Sequence, residues 1–337
     1  MAIRAKEIAA RVGVSAATVS LVLRGKPGVG KLTREKVLRA AAEMGYKKQQ
    51  LPQKNVRPGI RFVLYKRHGA VVGDTTFFSQ LTESVNAEAE RLGYDLLITY
   101  FYGNQNIDEQ ISSMQKTSCA GILLLATEMH TADIAPFKKL GVPIVVIDSY
   151  FPDEDFDYIQ INNVYGAKHA VQYLISQGHS EIGYLSSSVT IRNFHERQDG
   201  YLRGIKTIPV LNNSRQHIVK VAPTVDGAYS DMQKYLAAGP ELPTAFFADN
   251  DLIAISCIRA LRNAGYKVPE DVSIVGFDGI STSELLEPPL TTMNVPKEQM
   301  GVAAVGRLNE RIHGRVRGYV KIEVATELIE RESVQKI

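Results

Sequence analysis

Residues 3–23, IRAKEIAARVGVSAATVSLVL, read as two short helices joined by a tight turn. Ile8, Ala9 and Val12 fall on one helical stripe, Gly13 supplies the positive φ that stops a helix, and Ser15 is placed to cap the next helix, whose apolar stripe is Val19, Val22 and Leu23. Such a pair is a helix-turn-helix. In that unit the N-terminal residues of the second helix face base edges in the DNA major groove, here Ser15, Ala16, Ala17 and Thr18. The same pattern suits two packing helices of any small bundle, so the neighbouring chain has to decide between the readings.

Its charge favours DNA. Residues 1–58 carry 13 Lys and Arg against Glu7, Glu35 and Glu43, a net of +10, and the rest of the 337 residues carry −7, which hides the contrast behind an overall +3. A basic head on an acidic body is the electrostatic signature of a segment that meets a polyanion. RGKPGVG at 24–30 is a loop, and TREKVLRAAAEM at 33–44 reads as a third helix, capped by Thr33, turning Val37, Leu38 and Ala41 inward and stopped by Gly45. A three-helix domain over 1–46 results. KKQQLPQKNVRPG at 47–59, with two prolines and four positive charges, reads as a linker. Gly25–Lys31 matches G-x-x-x-x-G-K, but a phosphate-binding loop needs Ser or Thr directly after the lysine and Leu32 stands there.

From Ile60 onward short apolar runs alternate with helical patterns: IRFVLY at 60–65, DLLITY at 95–100, GILLLA at 121–126, VPIVVI at 142–147, DYIQI at 157–161, EIGYLS at 181–186, HIVKV at 217–221, TAFFA at 244–248 and VSIVGF at 272–277. Helices are expected between them, one of them over 132–140. Strands buried on both faces read as such continuous runs, and strand-helix alternation builds parallel sheets. The body is therefore α/β, with length for two doubly wound lobes. The two cysteines, Cys119 and Cys257, indicate neither a disulfide framework nor a metal site. MAIRAKEI lacks the apolar core of a secretion signal and no run approaches the roughly 18 apolar residues of a membrane span, so a cytoplasmic protein is expected.

In open α/β sheets ligands bind beyond the carboxyl ends of the strands. There the chain places Asp148, then Asp249, Asn250 and Asp251, then Asp278, while the loop after EIGYLS leads to Arg197. Carboxylates accept from adjacent hydroxyls and Arg and Asn supply fixed donors, a set that brackets a polyol. Phe77 and Phe78, after the first strand, suit the apolar face of a sugar or base. Taken singly, each polar group equally suits a helix cap. No H-E-x-x-H, histidine cluster or G-x-S-x-G elbow occurs, so neither an enzyme, a metal nor a cofactor is expected.

With AARVGVSAATVSLVL at 9–23, TREKVLRAAAEMGY at 33–46, ERQDGY at 196–201, ADNDLIA at 248–254, VPEDVSIVGFDGI at 268–280, PPLTTM at 288–293 and TELIERES at 326–333, the chain resembles the lactose-repressor (LacI-type) family of bacterial transcription regulators. The resemblance implies a helix-turn-helix domain, a hinge, and a core like a periplasmic sugar-binding protein whose lobes, about 60–160 with 292–318 and 161–291 with 319–337, close on a small effector. It implies a homodimer on a double-stranded, pseudo-palindromic operator. Effector contacts are implied from Asp148, Arg197, Asn250 and Asp278 with Phe77 and Phe78 at the cleft wall, base contacts from Ala16 and Ala17, and backbone contacts from Ser15, Thr18 and Ser20, with Leu21, Arg24 and Leu51 completing the DNA-facing set.

Three departures stand out. Leu21 occupies a position where the family commonly has Arg, and offers only apolar contact, for instance to a thymine methyl. Leu51, the one candidate for a minor-groove wedge in the hinge, is followed by Pro52, which disfavours helix there. Asn162, in IQINN, replaces a more usual aspartate. With Arg197 the sole positive group in the set, a neutral sugar is favoured over an anionic effector. The alternatives are a purine- or nucleoside-responsive regulator of the same fold and a sugar transporter's binding module, the latter at odds with the basic head.

Overall fold

A computed structural model describes residues 5–23, 26–44, 46, 57–73, 75–207 and 217–337. The chain divides into two units, 1–56 and 57–337.

In the first unit, α1 (Ala5–Val12), α2 (Ala16–Leu23) and α3 (Lys31–Glu43) meet on Ile8, Val19 and Val37, with Ala9, Val22, Ala40 and Ala41 around them. Gly13 has φ 73° and the Ser15 hydroxyl accepts the Thr18 amide at 3.1 Å, so the turn and cap arise from the residues expected to make them. The third helix departs from expectation in two ways. It begins at Lys31, behind Gly30 and without a side-chain cap, which leaves Thr33 inside the first turn. Leu38 is 48% exposed and Ala40 is buried instead, because 37, 40 and 41 share a helical face from which 38 is rotated by about 100°. Gly45, Arg24 and Leu51 lie outside the described residues, as does the stretch 47–56 of the expected linker.

The second unit opens with β1 (Gly59–Lys66), so Gly59 belongs to a strand rather than to the linker. Its first sheet contains β1, β2 (Asp95–Tyr102), β3 (Gly121–Leu125), β4 (Ile144–Ile147) and β5 (Asp157–Ile161), joined through α4 (Thr76–Arg91), α5 (Ile107–Gln115) and a broken segment after β3. The helix expected over 132–140 is one α-turn, α6 (Thr131–Ile134), followed by a 3-10 helix over Ala135–Leu140 that ends at Gly141 with φ 66°. Pro136, which has no N–H to give, sits where the α ladder would continue. The second sheet follows through α7 (Asn163–Ser176), β6 (Ile182–Ser187), α8 (Arg192–Ile205), β7 (Ile218–Val221), α9 (Val225–Ala237), β8 (Ala245–Ala248), α10 (Asp251–Asn263) and β9 (Ser273–Asp278).

The C-terminal stretch then weaves between the lobes. β10 (Thr291–Asn294) pairs with β9, α11 (Lys297–Ile312) packs on α4 and the first sheet, β11 (Lys321–Val324) pairs with β5, and β12 (Glu327–Ile329) returns antiparallel to β10. The sheet orders are β11-β5-β4-β3-β1-β2 and β12-β10-β9-β8-β6-β7, with β12 the only antiparallel strand among the described residues. Residues 292–294 therefore lie in the second lobe and 321–324 in the first, the reverse of the expected division. The strands TTMN and KIEV are short, and KIEV is mostly exposed at a sheet edge, so neither carries the apolar run that marks the central strands. Three crossings join the lobes, and the carboxyl ends of both sheets face one interlobe cleft.

Candidate functional site

All six residues expected to face an effector line one small interlobe cleft of about 20 Å³: Phe77, Phe78 and Asp148 from the first lobe, Arg197, Asn250 and Asp278 from the second. The strand ends deliver them. Asp148 directly follows β4 with φ 62° and Asp278 ends β9 with φ 112°, the two non-glycine residues in the left-handed region among those described. Such backbone is uncommon for a residue bearing a Cβ and gathers at functional sites. Phe77 and Phe78 open α4 and meet edge to face at 5.1 Å.

Arg197 is nearly enclosed and fully engaged. Its Nη2 pairs with Asp278 Oδ1 at 3.0 Å, Nη1 donates to the Asp249 carbonyl at 2.5 Å, Nε donates to Asn163 Oδ1 at 3.0 Å, and its guanidinium lies 3.8 Å from the Phe277 ring centre. Asp148 accepts from Thr127 Oγ1 at 2.5 Å and, across the lobes, from Asn193 Nδ2 at 2.8 Å. Burial pushes Asp148 up to about 6, against the opposing pull of Thr127, Arg197 and Asn193. Burial raises Asp278 as well, with Arg197 and Lys297 opposing. Lys297 donates to the carbonyls of Asp278 and Gly279 at 2.6 and 3.0 Å, and its Nζ lies 5.4 Å from the Phe77 ring centre.

Asn250 serves twice: its carboxamide oxygen caps α10 through the Ile253 amide at 2.9 Å, which leaves its NH2 group as the donor on the cleft side. Its neighbours are structural. Asp249 accepts the Tyr184 hydroxyl and the Ser187 amide, and Asp251 accepts the Ile280 amide at 2.9 Å and the Thr292 hydroxyl at 2.5 Å; both are fully buried, which raises each to about 7. They hold the loops that carry Asn250 and Asp278. Thr127 and Asn193 escaped sequence reasoning, although Thr127 is the first polar residue beyond β3, as Asp148 is beyond β4, and Asn193 lies one helical turn before Arg197. Asn162 caps α7 through the Tyr165 amide at 3.2 Å.

On the first unit, Ala17 and Leu21 are exposed one turn apart on α2, so its outward face is apolar, and the Ser15 and Thr18 hydroxyls bond to each other at 2.9 Å.

Comparison with known proteins settles the family. A description of lacI-family bacterial regulatory proteins matches residues 5–49, and one of periplasmic-binding-protein-like domains matches 171–334. The HTH-type transcriptional repressor PurR of Pasteurella multocida strain Pm70 is 31% identical over 98% of this chain and 98% of its own. The chain belongs to the LacI family. As a LacI-family member it is a DNA-binding transcription regulator and not an enzyme. Among solved LacI-family structures, a CelR regulator-cellobiose complex is 28% identical with a TM-score of 0.73, covering 98% of this chain and 99% of that one. The lac repressor dimer bound to operator and an anti-inducer, at 22% identity and a TM-score of 0.71, covers 99% and 100% and shares the fold. Among the described residues no helix is long and apolar enough to cross a membrane.

Proposed function

We propose that this regulator is a cytoplasmic homodimeric repressor whose operator affinity is set by a neutral sugar held between Phe77 and Phe78 on one side and Asp148, Arg197, Asn250 and Asp278 on the other. The observation that carries the sugar reading is the charge of the cleft: its one guanidinium is already matched by Asp278, and Asp148 adds a second carboxyl, so an anionic ligand would meet acids rather than a free cation. The sugar-bound and operator-bound neighbours agree with it in kind. A hydroxylated ring that takes over the Asn193–Asp148 bond replaces a direct tie between the lobes by a liganded one. Linkage then requires the sugar to alter operator affinity by the factor by which operator alters sugar affinity. Calorimetry of the full chain against sugars and nucleobases tests the reading. Tight binding of a purine with no sugar bound would overturn it.

Because Asp148 sits at about 6, sugar affinity is expected to rise as pH increases from 5 to 7, the carboxylate being the stronger acceptor for a sugar hydroxyl. In Asp148→Asn that rise should shrink, leaving what the loop-holding Asp249 and Asp251 contribute near 7. A wild-type affinity independent of pH would remove Asp148 from the contact set.

We infer that α2 reads DNA through Ala17 and Leu21, with Ala16 beside them and Ser15, Thr18 and Ser20 toward the backbone. Installing an arginine by Leu21→Arg is expected to create a guanine preference worth about 1–3 kcal/mol at one operator position per half-site, read by selection from a random DNA pool. Selection of the same guanine by the wild type would contradict the apolar contact.

A further inference from the structure

Four side chains of α8 and one of α7 tie together the walls of the inner cleft, the space between Asp148 and Arg197. Asn163 opens α7 directly after the chain crosses from β5 in the first lobe, and it is 1% exposed. Its carboxamide oxygen accepts from Arg197 Nε at 3.0 Å. Its Nδ2 donates to Glu196 Oε2 at 3.0 Å, and to Asn193 Oδ1 and the Ile161 carbonyl at 3.3 Å each. Arginine can only donate and a carboxylate can only accept, so the partners fix which end of the amide is oxygen. The same rule orients Asn193, whose Nδ2 faces the Asp148 carboxylate.

Two ties to the first lobe hang from that one amide. In the inner tie Arg197 donates to Asn163, Asn163 to Asn193, and Asn193 to Asp148 at 2.8 Å, so a single file of donors joins two cleft-facing charges on opposite lobes. In the outer tie Glu196 accepts from Asn163 on one oxygen and from Arg192 Nε on the other at 2.9 Å. The Arg192 guanidinium then lies 5.0 Å from the ring centre of Tyr150, two residues beyond Asp148. That ring is anchored in the first lobe: Tyr158 of β5 meets it edge to face at 4.9 Å, and Lys321 of β11 lies 4.5 Å from its centre. A cation near an aromatic face is held by the ring's quadrupole, and a buried chain of hydrogen bonds is strengthened by each member it keeps.

We propose that Asn163 is a positioning residue of the effector site: its carboxamide sets Arg197 on the second lobe and, through Asn193 on one side and Glu196 with Arg192 on the other, holds the first lobe at Asp148 and Tyr150. A ligand that displaces Arg197 therefore loosens both ties together, and occupancy at the centre of the cleft reaches its rim. This rests on Arg197 and Asp148 facing the effector, as proposed above, and not on the effector being a sugar.

The chain has no tryptophan, so Tyr150→Trp places a single fluorescent reporter beside Arg192 in the full-length protein. Acrylamide quenching of that reporter is read without ligand in the parent, in Arg192→Ala, in Asn163→Asp, and in the exchanged pair Asn163→Asp with Glu196→Gln. Aspartate keeps the oxygen for Arg197 and the size of the side chain but turns an acceptor toward Glu196. The exchange restores a donor, now from position 196, at unchanged net charge. Quenching is expected to rise at least twofold in Arg192→Ala and in Asn163→Asp, to rise no further when the two are combined, and to return to the parent value in the exchanged pair. Arg192 is partly exposed, so its variant supplies a folded reference for the open rim. If Asn163→Asp alone does not fold, recovery of both the fold and the parent quenching in the exchanged pair supports the relay equally. Parent quenching in Arg192→Ala or in Asn163→Asp, rises that add, or an exchanged pair that stays open or unfolded overturns it. Calorimetry against sugars tests the effector class separately, so either reading can fail alone.

Discussion

Arg197→Met is expected to abolish sugar binding and to lower the stability of the 57–337 unit by about 3–5 kcal/mol, the range seen when one partner of a buried ion pair is removed. For a unit of this size each kcal/mol moves the melting temperature by about 2–4 °C, so a fall on the order of 10 °C should be visible by calorimetric scanning. The size follows from what the side chain leaves behind. Asp278 Oδ1 loses its cation, the Asp249 carbonyl loses a donor at 2.5 Å, and Asn163 loses the donor that orients it toward Glu196. Methionine keeps an unbranched side chain but removes the guanidinium, so the loss combines the polar pairing with the stacking on Phe277 at 3.8 Å. Adding Asp278→Asn removes the stranded carboxyl and should return a part of the stability, with no return of binding. Wild-type stability in the single variant, or retained sugar affinity, would show that the guanidinium is neither support nor contact.

Why the cleft was readable beforehand while its supports were not has a physical basis. Parallel strands covered on both faces must be continuously apolar, so the polar residues after each run mark the carboxyl edge of a sheet; that rule alone locates Asp148, the stretch from Asp249 to Asp251, and Asp278. It cannot separate Asn250 from Asp249 and Asp251, because alternate side chains at a strand end point to opposite faces and only the packed structure shows which face is the cleft. The lobe exchange of β10 and β11 was likewise hidden, since both strands are short and lack an apolar run, and their places are set by pairing with β9 and β12 and with β5. The exposed Ala17–Leu21 face of α2 was legible because helical periodicity is local, and the same periodicity turns Leu38 away from the face of Val37, Ala40 and Ala41. Glu128 is the clearest omission. An acid after an apolar run reads as surface, and nothing near it in sequence announces the loop it holds 56 to 61 residues upstream.

That loop makes Glu128→Gln the second large expected effect. The carboxylate, 1% exposed, accepts from five backbone amides: Arg67, His68 and Gly69 on Oε2 at 2.9, 3.1 and 2.8 Å, and Val71 and Val72 on Oε1 at 2.9 and 3.0 Å. Glutamine keeps one acceptor oxygen and turns an NH2 group against the other set of donors, so at least two amides lose their acceptor. At about 1–3 kcal/mol for each buried donor left unpaired, the substitution should destabilise the core by about 2–6 kcal/mol. Acid provides the control. Burial alone would raise the Glu128 pKa, but the amides of Val72, Gly69, Val71 and His68 outweigh it and hold the carboxyl below its usual value. A depressed folded-state pKa gives stability that is complete above the unfolded value of about 4.3 and is lost as pH falls through the folded one. Urea unfolding from pH 7 to 3 should therefore show the gap between wild type and Glu128→Gln widest near neutrality and closing in acid. Since Val71 and Phe77 follow this loop into the inner cleft, the variant should also weaken sugar binding at neutral pH, at temperatures where it remains folded. A gap of constant size down to pH 3 would mean that the carboxylate is not what holds the loop.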